Sequence, residues 1–128
     1  MNAKNKMPES RFGYTTNLYA ETISFYKNIL QLEIYNSWDR GANDKGTIFK
    51  SPNGSGLLEI EEGETVPVIS GASLYIEVDN IDRLYEMAVN QAVRIIQPIQ
   101  NTSFGHRNFK FEDPNKLIIG LFEYLTLD

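Results

Sequence analysis

The sequence predicts an α+β protein built from two modules of one design, each with the element order βαβββ. The first observation is an internal repeat: the FKSPN sequence of residues 49–53 recurs as FEDPN at residues 111–115, about half the chain later. The second is that a hydrophobic run follows each copy, at residues 57–60 and 117–121. A Pro-Asn turn between two strand-like runs is typical of a β-hairpin, because Pro fixes φ and Asn tolerates tight turns. A hairpin that occurs twice at this spacing indicates that one β-rich module was duplicated.

The first half of the chain predicts a strand, a helix and three strands. Residues 12–16 are rich in aromatic and β-branched side chains, as expected of a strand. Residues 19–30 are expected to form a helix, because Ile23, Tyr26 and Leu30 recur at helical spacing. Three further strands, separated by turn-like segments rich in Gly and Asn, are predicted over residues 32–38, 47–50 and 57–61.

The second half predicts the same order of elements. Residues 73–78 alternate in polarity, which places Tyr75 and Glu77 on one face of a strand. Asp79 or Asn80 then caps a helix. The apolar residues of this helix follow helical spacing: Ile81, Leu84, Tyr85 and Ala88. The last three strands are predicted over residues 93–99, 107–111 and 117–123.

Length and composition predict one globular domain. With 128 residues and 41% hydrophobic side chains, the chain can form one core shared by two packed halves. We expect residues 1–10 to be a disordered tail and residues 11–124 to be the domain, with modules over 11–62 and 72–124. A sheet with one helix on it buries a single face. Two such sheets must therefore close against each other, or against a second chain, around a shared concavity.

The composition also excludes several partners. The net charge of -5 comes from interspersed charges of both signs, which argues against a nucleic-acid partner. The absence of cysteine excludes disulfides and thiolate metal sites and fits a reducing compartment. No apolar run approaches the roughly 20 residues that cross a bilayer, and the N-terminus lacks the apolar core of a signal peptide. We therefore expect a cytoplasmic protein without a membrane partner.

Two motifs carry a resemblance to a known superfamily. Residues 23–32 (ISFYKNILQL) are similar to its first-helix motif a-x-x-F-Y-x-x-x-L-G-L, and residues 107–115 (RNFKFEDPN) to its closing-hairpin motif R-x-F-x-F-x-D-P-x-G. Over about residues 11–124, the chain thus resembles the vicinal oxygen chelate superfamily of glyoxalase I, bleomycin-resistance proteins and extradiol dioxygenases. The resemblance implies a cup-shaped, half-open mixed β-barrel with helices outside. It also implies a homodimer, in which each chain closes its own cup or exchanges modules with its partner.

Enzymes of the superfamily hold a divalent metal with four ligands, from the first and last strands of each module. The resemblance puts those positions at Arg11, Glu59, Ser73 and Gly120. Glu59 is a good ligand, whereas Arg11 is a cation, Ser73 a weak ligand and Gly120 lacks a side chain. Shifting the alignment by one residue brings other carboxylates into consideration, namely Glu61, Glu77 and Glu123. We expect no metal and no cofactor.

The same positions suggest a ligand site in the cup. We hypothesise that the Arg11 guanidinium replaces the metal charge and forms a buried ion pair with Glu59. Several aromatic residues can line an apolar cup: Tyr14, Tyr35, Trp38, Tyr75, Phe104 and Phe122. Rings beside carboxylates suit a cationic or planar ligand. His106 is a candidate base or hydrogen-bonding group, and Arg107 a candidate for an anionic substrate group.

Seven residues are therefore candidates for ligand binding: Arg11, Trp38, Glu59, Tyr75, Glu77, His106 and Arg107. Simpler structural interpretations compete with this one. Arg11 can be an exposed residue at the start of a strand, His106 a solvated loop residue, Arg107 a support for the turn, and the aromatic rings core filler.

Three functions remain open on the sequence alone. The favoured one is a metal-independent, dimeric protein that binds a small, aromatic or cationic molecule in the cup. The alternative is a metal-dependent lyase or dioxygenase with atypical ligands. The third is a structural or regulatory module whose cavity is filled with side chains.

Overall fold

The computed structural model describes residues 9–52, 54 and 56–126, and it confirms the α+β fold with two βαβββ modules. The first module contains β1 (Ser10–Thr16), α1 (Tyr19–Ser24), a π-helical continuation (Phe25–Ile29), β2 (Glu33–Asp39), β3 (Lys45–Lys50) and β4 (Gly56–Glu62). The second module contains β5 (Ser73–Glu77), α2 (Ile81–Asn90), β6 (Ile95–Asn101), β7 (His106–Glu112) and β8 (Ile118–Tyr124). Within this part of the chain, no helix is long and apolar enough to cross a bilayer.

Two predictions, the disordered tail over residues 1–10 and the turn at Pro52 and Asn53, fall partly outside the described residues. Most of the predicted tail lies outside the described residues, but Ser10 is already the first residue of β1. Asn53, predicted to form a turn with Pro52, also lies outside them.

The boundaries of the elements differ from the predictions by up to two residues. The predicted helix over residues 19–30 changes from α to π at Phe25, where the Leu30 N–H donates to the Phe25 carbonyl five residues earlier at 3.2 Å. Strand β6 starts two residues later than predicted. Ala92 has a positive φ of 56°, and the Val93 N–H still donates to the Ala88 carbonyl at 3.0 Å, so the turn after α2 is longer than the sequence pattern suggests.

Each module forms one four-stranded mixed sheet. The strand orders are β1-β4-β3-β2 in sheet one and β5-β8-β7-β6 in sheet two, so the first and last strands of each module lie side by side and parallel. Strands β1 and β5 are therefore edge strands. This equal topology is the structural counterpart of the sequence repeat.

Each sheet has a helix-bearing face and an opposite face, which we call the open face. Strand alternation places these residues on the open face of sheet one: Arg11, Gly13, Trp38, Gly46, Ile48, Leu57, Glu59 and Glu61. It places these residues on the open face of sheet two: Tyr75, Glu77, His106, Asn108, Lys110, Gly120 and Phe122.

The helix-bearing faces contribute a common hydrophobic core. Phe25 packs against Phe111 of the other module, with 5.8 Å between ring centroids, and Phe111 is fully buried. On sheet two, Tyr85 of α2 packs edge-on against Phe109 at 4.9 Å. The core therefore joins the modules on the side away from the open faces.

A buried carboxylate, Asp113 of the second module, forms hydrogen bonds to the first module, and we call this contact between the modules the junction. Asp113 accepts hydrogen bonds from the Tyr14 hydroxyl at 2.5 Å and the Tyr26 hydroxyl at 2.6 Å, both from the first module. It also accepts the backbone N–H groups of Asn115 at 2.7 Å and Leu117 at 2.9 Å. Burial, and then the charge of Asp113, raises the pKa of Tyr14. Burial is also the largest cause of the raised pKa of Tyr26. Both hydroxyls therefore remain donors at neutral pH.

Asn115 extends this junction into the first module. Its side-chain nitrogen donates to the Thr22 hydroxyl at 2.8 Å and to the Tyr14 hydroxyl at 3.1 Å. Its side-chain oxygen accepts a bond from the buried Thr16 hydroxyl at 2.5 Å. The second FxxPN copy, predicted only to make a turn, thus also holds the two modules together.

Candidate functional site

The open face of sheet one carries the ion pair predicted between Arg11 and Glu59. The Arg11 Nη1 atom lies 2.8 Å from Glu59 Oε1, and Arg11 Nη2 lies 2.6 Å from Glu9 Oε1. The prediction of a buried pair was wrong, because 41% of the Arg11 side chain and 21% of the Glu59 side chain are exposed. Arg11 is on an edge strand, which leaves its guanidinium accessible.

A second carboxylate lies beside this pair. A side-chain hydrogen bond with Glu59, followed by burial and the charge of Glu59, raises the pKa of Glu61. Hydrogen bonds from Arg11 to Glu9 and then Glu59 raise the pKa of Arg11 further, so this side chain is a permanent cation. The open face of sheet one thus holds one guanidinium among several carboxylates.

The exposure of the pair determines what its loss should cost. We expect Arg11→Ala to lower the free energy of unfolding by less than about 1 kcal/mol, since a solvent-screened ion pair contributes little. Chemical denaturation measures this value, with Arg94→Ala as the control, because Arg94 is 76% exposed and pairs with Glu112 at 3.5 Å. A loss of more than about 3 kcal/mol would instead mean that the pair is buried in the native assembly.

Trp38, which was predicted to line the cup, instead packs its ring against the neighbouring strand β3. A Cβ atom on Gly46 would clash with the Trp38 ring, so the indole covers this glycine of β3. The Arg40 guanidinium is 5.9 Å from the centroid of the ring. Trp38 lines neither of the two cavities described next.

The first cavity, the seam cavity, lies between the edge strands β1 and β5 and has a volume of about 460 Å³. Three of the predicted residues reach it: Arg11, Tyr75 and Glu77. Most of its other side chains are apolar: Phe12, Leu32, Phe49, Leu57, Leu58, Leu74 and Ile76.

The second cavity, the sheet-two cavity, has a volume of about 300 Å³ and lies on the open face of sheet two. It is lined by Tyr75, Phe104, His106, Asn108, Lys110, Gly120, Leu121 and Phe122. Tyr75 lines both cavities, and 56% of it is exposed in the chain. These two cavities argue against the third function considered, a module whose cup is packed solid.

The Tyr75 ring lies against Gly120, one of the four positions at which the resemblance implies a metal ligand. A Cβ atom on Gly120 would lie 2.5 Å from Tyr75 Cδ1, so no side chain fits at this position while the ring is in place. In the same module, the Lys110 Nζ atom lies 5.4 Å from the centroid of this ring. Of the other family-type positions, Glu59 is engaged by Arg11. Among the residues that the structure describes, no three His, Cys, Asp or Glu side chains are grouped as metal ligands.

His106 belongs to β7 and is surrounded by aromatic rings, which differs from a solvated loop residue. Its ring centroid lies 4.7 Å from that of Phe104, 4.9 Å from that of Phe122 and 5.5 Å from that of Tyr124. The Nδ1 atom is buried and has no hydrogen-bond partner among the described residues. A buried nitrogen without a hydrogen-bond partner is uncommon in folded proteins.

Arg107 is separated from the other candidates. It lies on the helix-bearing face of β7, where its Nη2 atom is 3.0 Å from Asp82 Oδ1 of α2 and its Nη1 atom is 2.9 Å from Asn101 Oδ1. It lines neither cavity. This geometry fits the structural interpretation of Arg107, as a link between α2 and sheet two.

Sequence reasoning missed two polar residues of the sheet-two cavity, Asn108 and Lys110. Both alternate with the buried rings of Phe109 and Phe111, so the two-residue period of β7 puts them on the open face. That alternation was the available signal. Tyr14, in contrast, was considered for the cup but bonds Asp113 on the other face.

Comparisons with known proteins agree with this architecture. The family model of the Glyoxalase/Bleomycin resistance protein/Dioxygenase superfamily matches residues 10–121. A search of curated protein sequences gave no match.

Several solved structures are similar to this chain. TioX from Micromonospora sp. ML1 has a TM-score of 0.73 at 12% identity, and the match covers 93% of this chain and 100% of TioX. TnmS3, an antibiotic binding protein from Streptomyces sp. CB03234, has a TM-score of 0.73 at 18% identity, over 94% and 98%. FosX, a fosfomycin resistance protein from Listeria monocytogenes, has a TM-score of 0.70 at 17% identity, over 92% and 93%. Because the sequence identities are below 25%, these similarities show that the three proteins share the fold of this chain and nothing further.

Proposed function

The chain belongs to the Glyoxalase/Bleomycin resistance protein/Dioxygenase superfamily, and on that premise we propose that it binds a small planar aromatic molecule without metal and without turnover. The observation that carries this proposal is the Tyr75 ring over Gly120. A position that would supply a metal ligand in an enzyme of this fold instead supplies an aromatic surface. Binding therefore takes place on the open face of sheet two.

The state of the remaining metal positions supports the same function. A divalent ion requires several anionic or imidazole ligands that converge with open coordination sites. Arg11 places a positive charge 2.8 Å from Glu59, the one carboxylate of the four positions. A metal at this place would meet a cation, so the residues present do not fit it.

The aromatic lining supports the class of ligand. Tyr75, Phe104 and Phe122 line the sheet-two cavity, and Phe104 is 70% exposed in the chain. Large exposed rings around a concavity typically mark a binding surface, because their apolar area stays in contact with water until a ligand or a partner covers it. A planar ligand can stack on these rings.

We infer that a second copy of the chain completes the site. The two modules are joined through their helix-bearing faces, by Asp113 and Phe111, which leaves the open face of sheet two uncovered within the described chain. A homodimer can place an open face of the second copy across this cavity.

We also propose that the protein is located in the cytoplasm. A chain without cysteine forms no disulfides, so it does not depend on an oxidising compartment.

Ligand titration combined with metal analysis tests this function. Purified protein is titrated calorimetrically with neutral, anionic and cationic naphthalene derivatives, before and after treatment with EDTA. We expect saturable binding of at least one derivative, an unchanged Kd after EDTA, and no stoichiometric metal. Tyr75→Ala should weaken binding about tenfold or more, because base-sized rings gain roughly 1 to 3 kcal/mol by stacking on an aromatic side chain.

Tyr35→Ala is the matched control, since Tyr35 is 41% exposed and lines neither cavity. It should leave the Kd unchanged. Stoichiometric divalent metal, with binding that is lost in EDTA, would overturn the proposal in favour of a metal-dependent lyase or dioxygenase. A lack of saturable binding for every derivative would overturn it as well.

A further inference from the structure

The structure assigns a charge to the ligand: we propose that the sheet-two cavity selects a planar aromatic carboxylate over neutral or cationic molecules of the same shape. This inference rests on the proposed function and names the ligand class for the same cavity. It differs from the expectation of a cationic ligand, which was based on Trp38 beside Asp39 and on Tyr75 beside Glu77. Tyr75 lines the sheet-two cavity, but neither of the two carboxylates, Asp39 and Glu77, is among its described lining residues.

The first support is the sign of the charge in the cavity. Lys110 is the charged residue of the lining, and no Asp or Glu is among the described lining residues. This composition is unusual for a chain with a net charge of -5. The cavity is therefore a basic site in an acidic protein, where a carboxylate is attracted and an ammonium group is repelled.

The second support is the state of Lys110. Within the described part of the chain, Lys110 forms no salt bridge, in contrast to Lys50, which pairs with Glu33 at 3.5 Å. Its neighbour across the strand pair is Gly120, which adds no side chain, and its Nζ atom lies 5.4 Å from the Tyr75 centroid. The ammonium group is thus held beside an aromatic surface, with its charge available to a ligand that stacks there.

The third support is the kind of hydrogen-bonding group around it. The Asn108 Oδ1 atom already accepts a bond from Gln97 Nε2 at 2.7 Å, so the amide nitrogen of Asn108 is the group left to donate. The buried Nδ1 atom of His106 has no partner among the described residues, and it is a donor in one of the two tautomers of the neutral imidazole. Together with Lys110, these groups form a set of donors. A carboxylate, which only accepts, is complementary to such a set.

The size of the cavity limits the aromatic part. A volume of about 300 Å³ is at the lower end of the range for small-molecule sites. One or two fused rings with a single carboxylate fit this volume. The rings contact Tyr75, Phe104 and Phe122, and the carboxylate points toward Lys110 and Asn108.

Two probes of equal shape test the charge preference: 2-naphthoate and its neutral amide, 2-naphthamide. We expect the Kd for 2-naphthoate to be lower than the Kd for 2-naphthamide by a factor of about ten or more. This factor corresponds to the contribution of a hydrogen bond between charged groups. High salt should reduce this ratio. Lys110→Gln should bring the ratio close to one, mainly because 2-naphthoate loses its charged partner. Lys50→Gln, on the other sheet, should keep the ratio of the unmodified protein.

The outcomes separate this inference from the proposed function. Equal affinity for the two probes, or tighter binding of 2-naphthylmethylammonium, would overturn the inference and leave aromatic binding in place. A preference for 2-naphthoate that survives Lys110→Gln would also overturn it, provided that circular dichroism shows a folded variant. Binding of none of the three probes would overturn both.

Discussion

Replacing Asp113 with alanine is expected to lower the free energy of unfolding by about 4 kcal/mol, because several buried donors lose their acceptor at once. Asp113 is 4% exposed and accepts two tyrosine hydroxyls and two backbone N–H groups. The tyrosines belong to the first module, so the variant should also weaken the coupling between modules. Chemical denaturation followed by far-UV circular dichroism measures the midpoint and the slope.

The control for this variant is Asp39→Ala, the same change at a side chain that is 68% exposed. It should cost less than about 1 kcal/mol. Asp113→Asn keeps one acceptor oxygen but places an NH₂ group against some of the donors that Asp113 accepts. Its loss of unfolding free energy should therefore lie between those of Asp113→Ala and Asp39→Ala. An Asp113→Ala protein as stable as the unmodified chain would show that the junction contributes little to folding.

Phe111→Ala is expected to cost a similar amount, about 4 kcal/mol, because it leaves a cavity between the modules. The Phe111 ring is fully buried, 5.8 Å from that of Phe25 and 5.3 Å from that of Phe109. Thermal and chemical denaturation of the full chain measure this loss.

Phe104→Ala is the matched control, since it removes an equal ring that is 70% exposed. It should change stability by less than about 1 kcal/mol. It should nevertheless weaken binding of the aromatic probes, because Phe104 lines the sheet-two cavity. Equal losses of stability from the two substitutions would contradict the assignment of Phe111 to the shared core.

The parts of the site that depend on strand alternation could be predicted from the sequence. The polarity of residues 73–78 put Tyr75 and Glu77 on one face, and the structure has both on the open face of sheet two. The pairing of Arg11 with Glu59 followed from the metal positions that the superfamily resemblance implies, and the pair is present at 2.8 Å. The first feature depends on local periodicity and the second on the resemblance.

Other parts depend on contacts between distant strands, which no local pattern contains. Nothing in the sequence around Trp38 indicates that its ring covers Gly46 instead of lining a cavity, because the register of β2 and β3 decides this. The exposure of Arg11 depends on its position at a sheet edge. The role of Asp113 required partners 87 and 99 residues away. The sequence indicated its turn but not its part in the junction.

The close approach of Tyr75 to Gly120 couples the evolution of these two positions. Any residue larger than glycine at position 120 meets the ring in its present place, so a carboxylate or imidazole there requires Tyr75 to move or to be replaced. Either change takes the aromatic surface away from Gly120. Trp38 restricts Gly46 in the same way. A ring over Gly120 and a metal ligand at position 120 therefore exclude each other in this geometry, so a substitution that favours one of the two proposed functions works against the other.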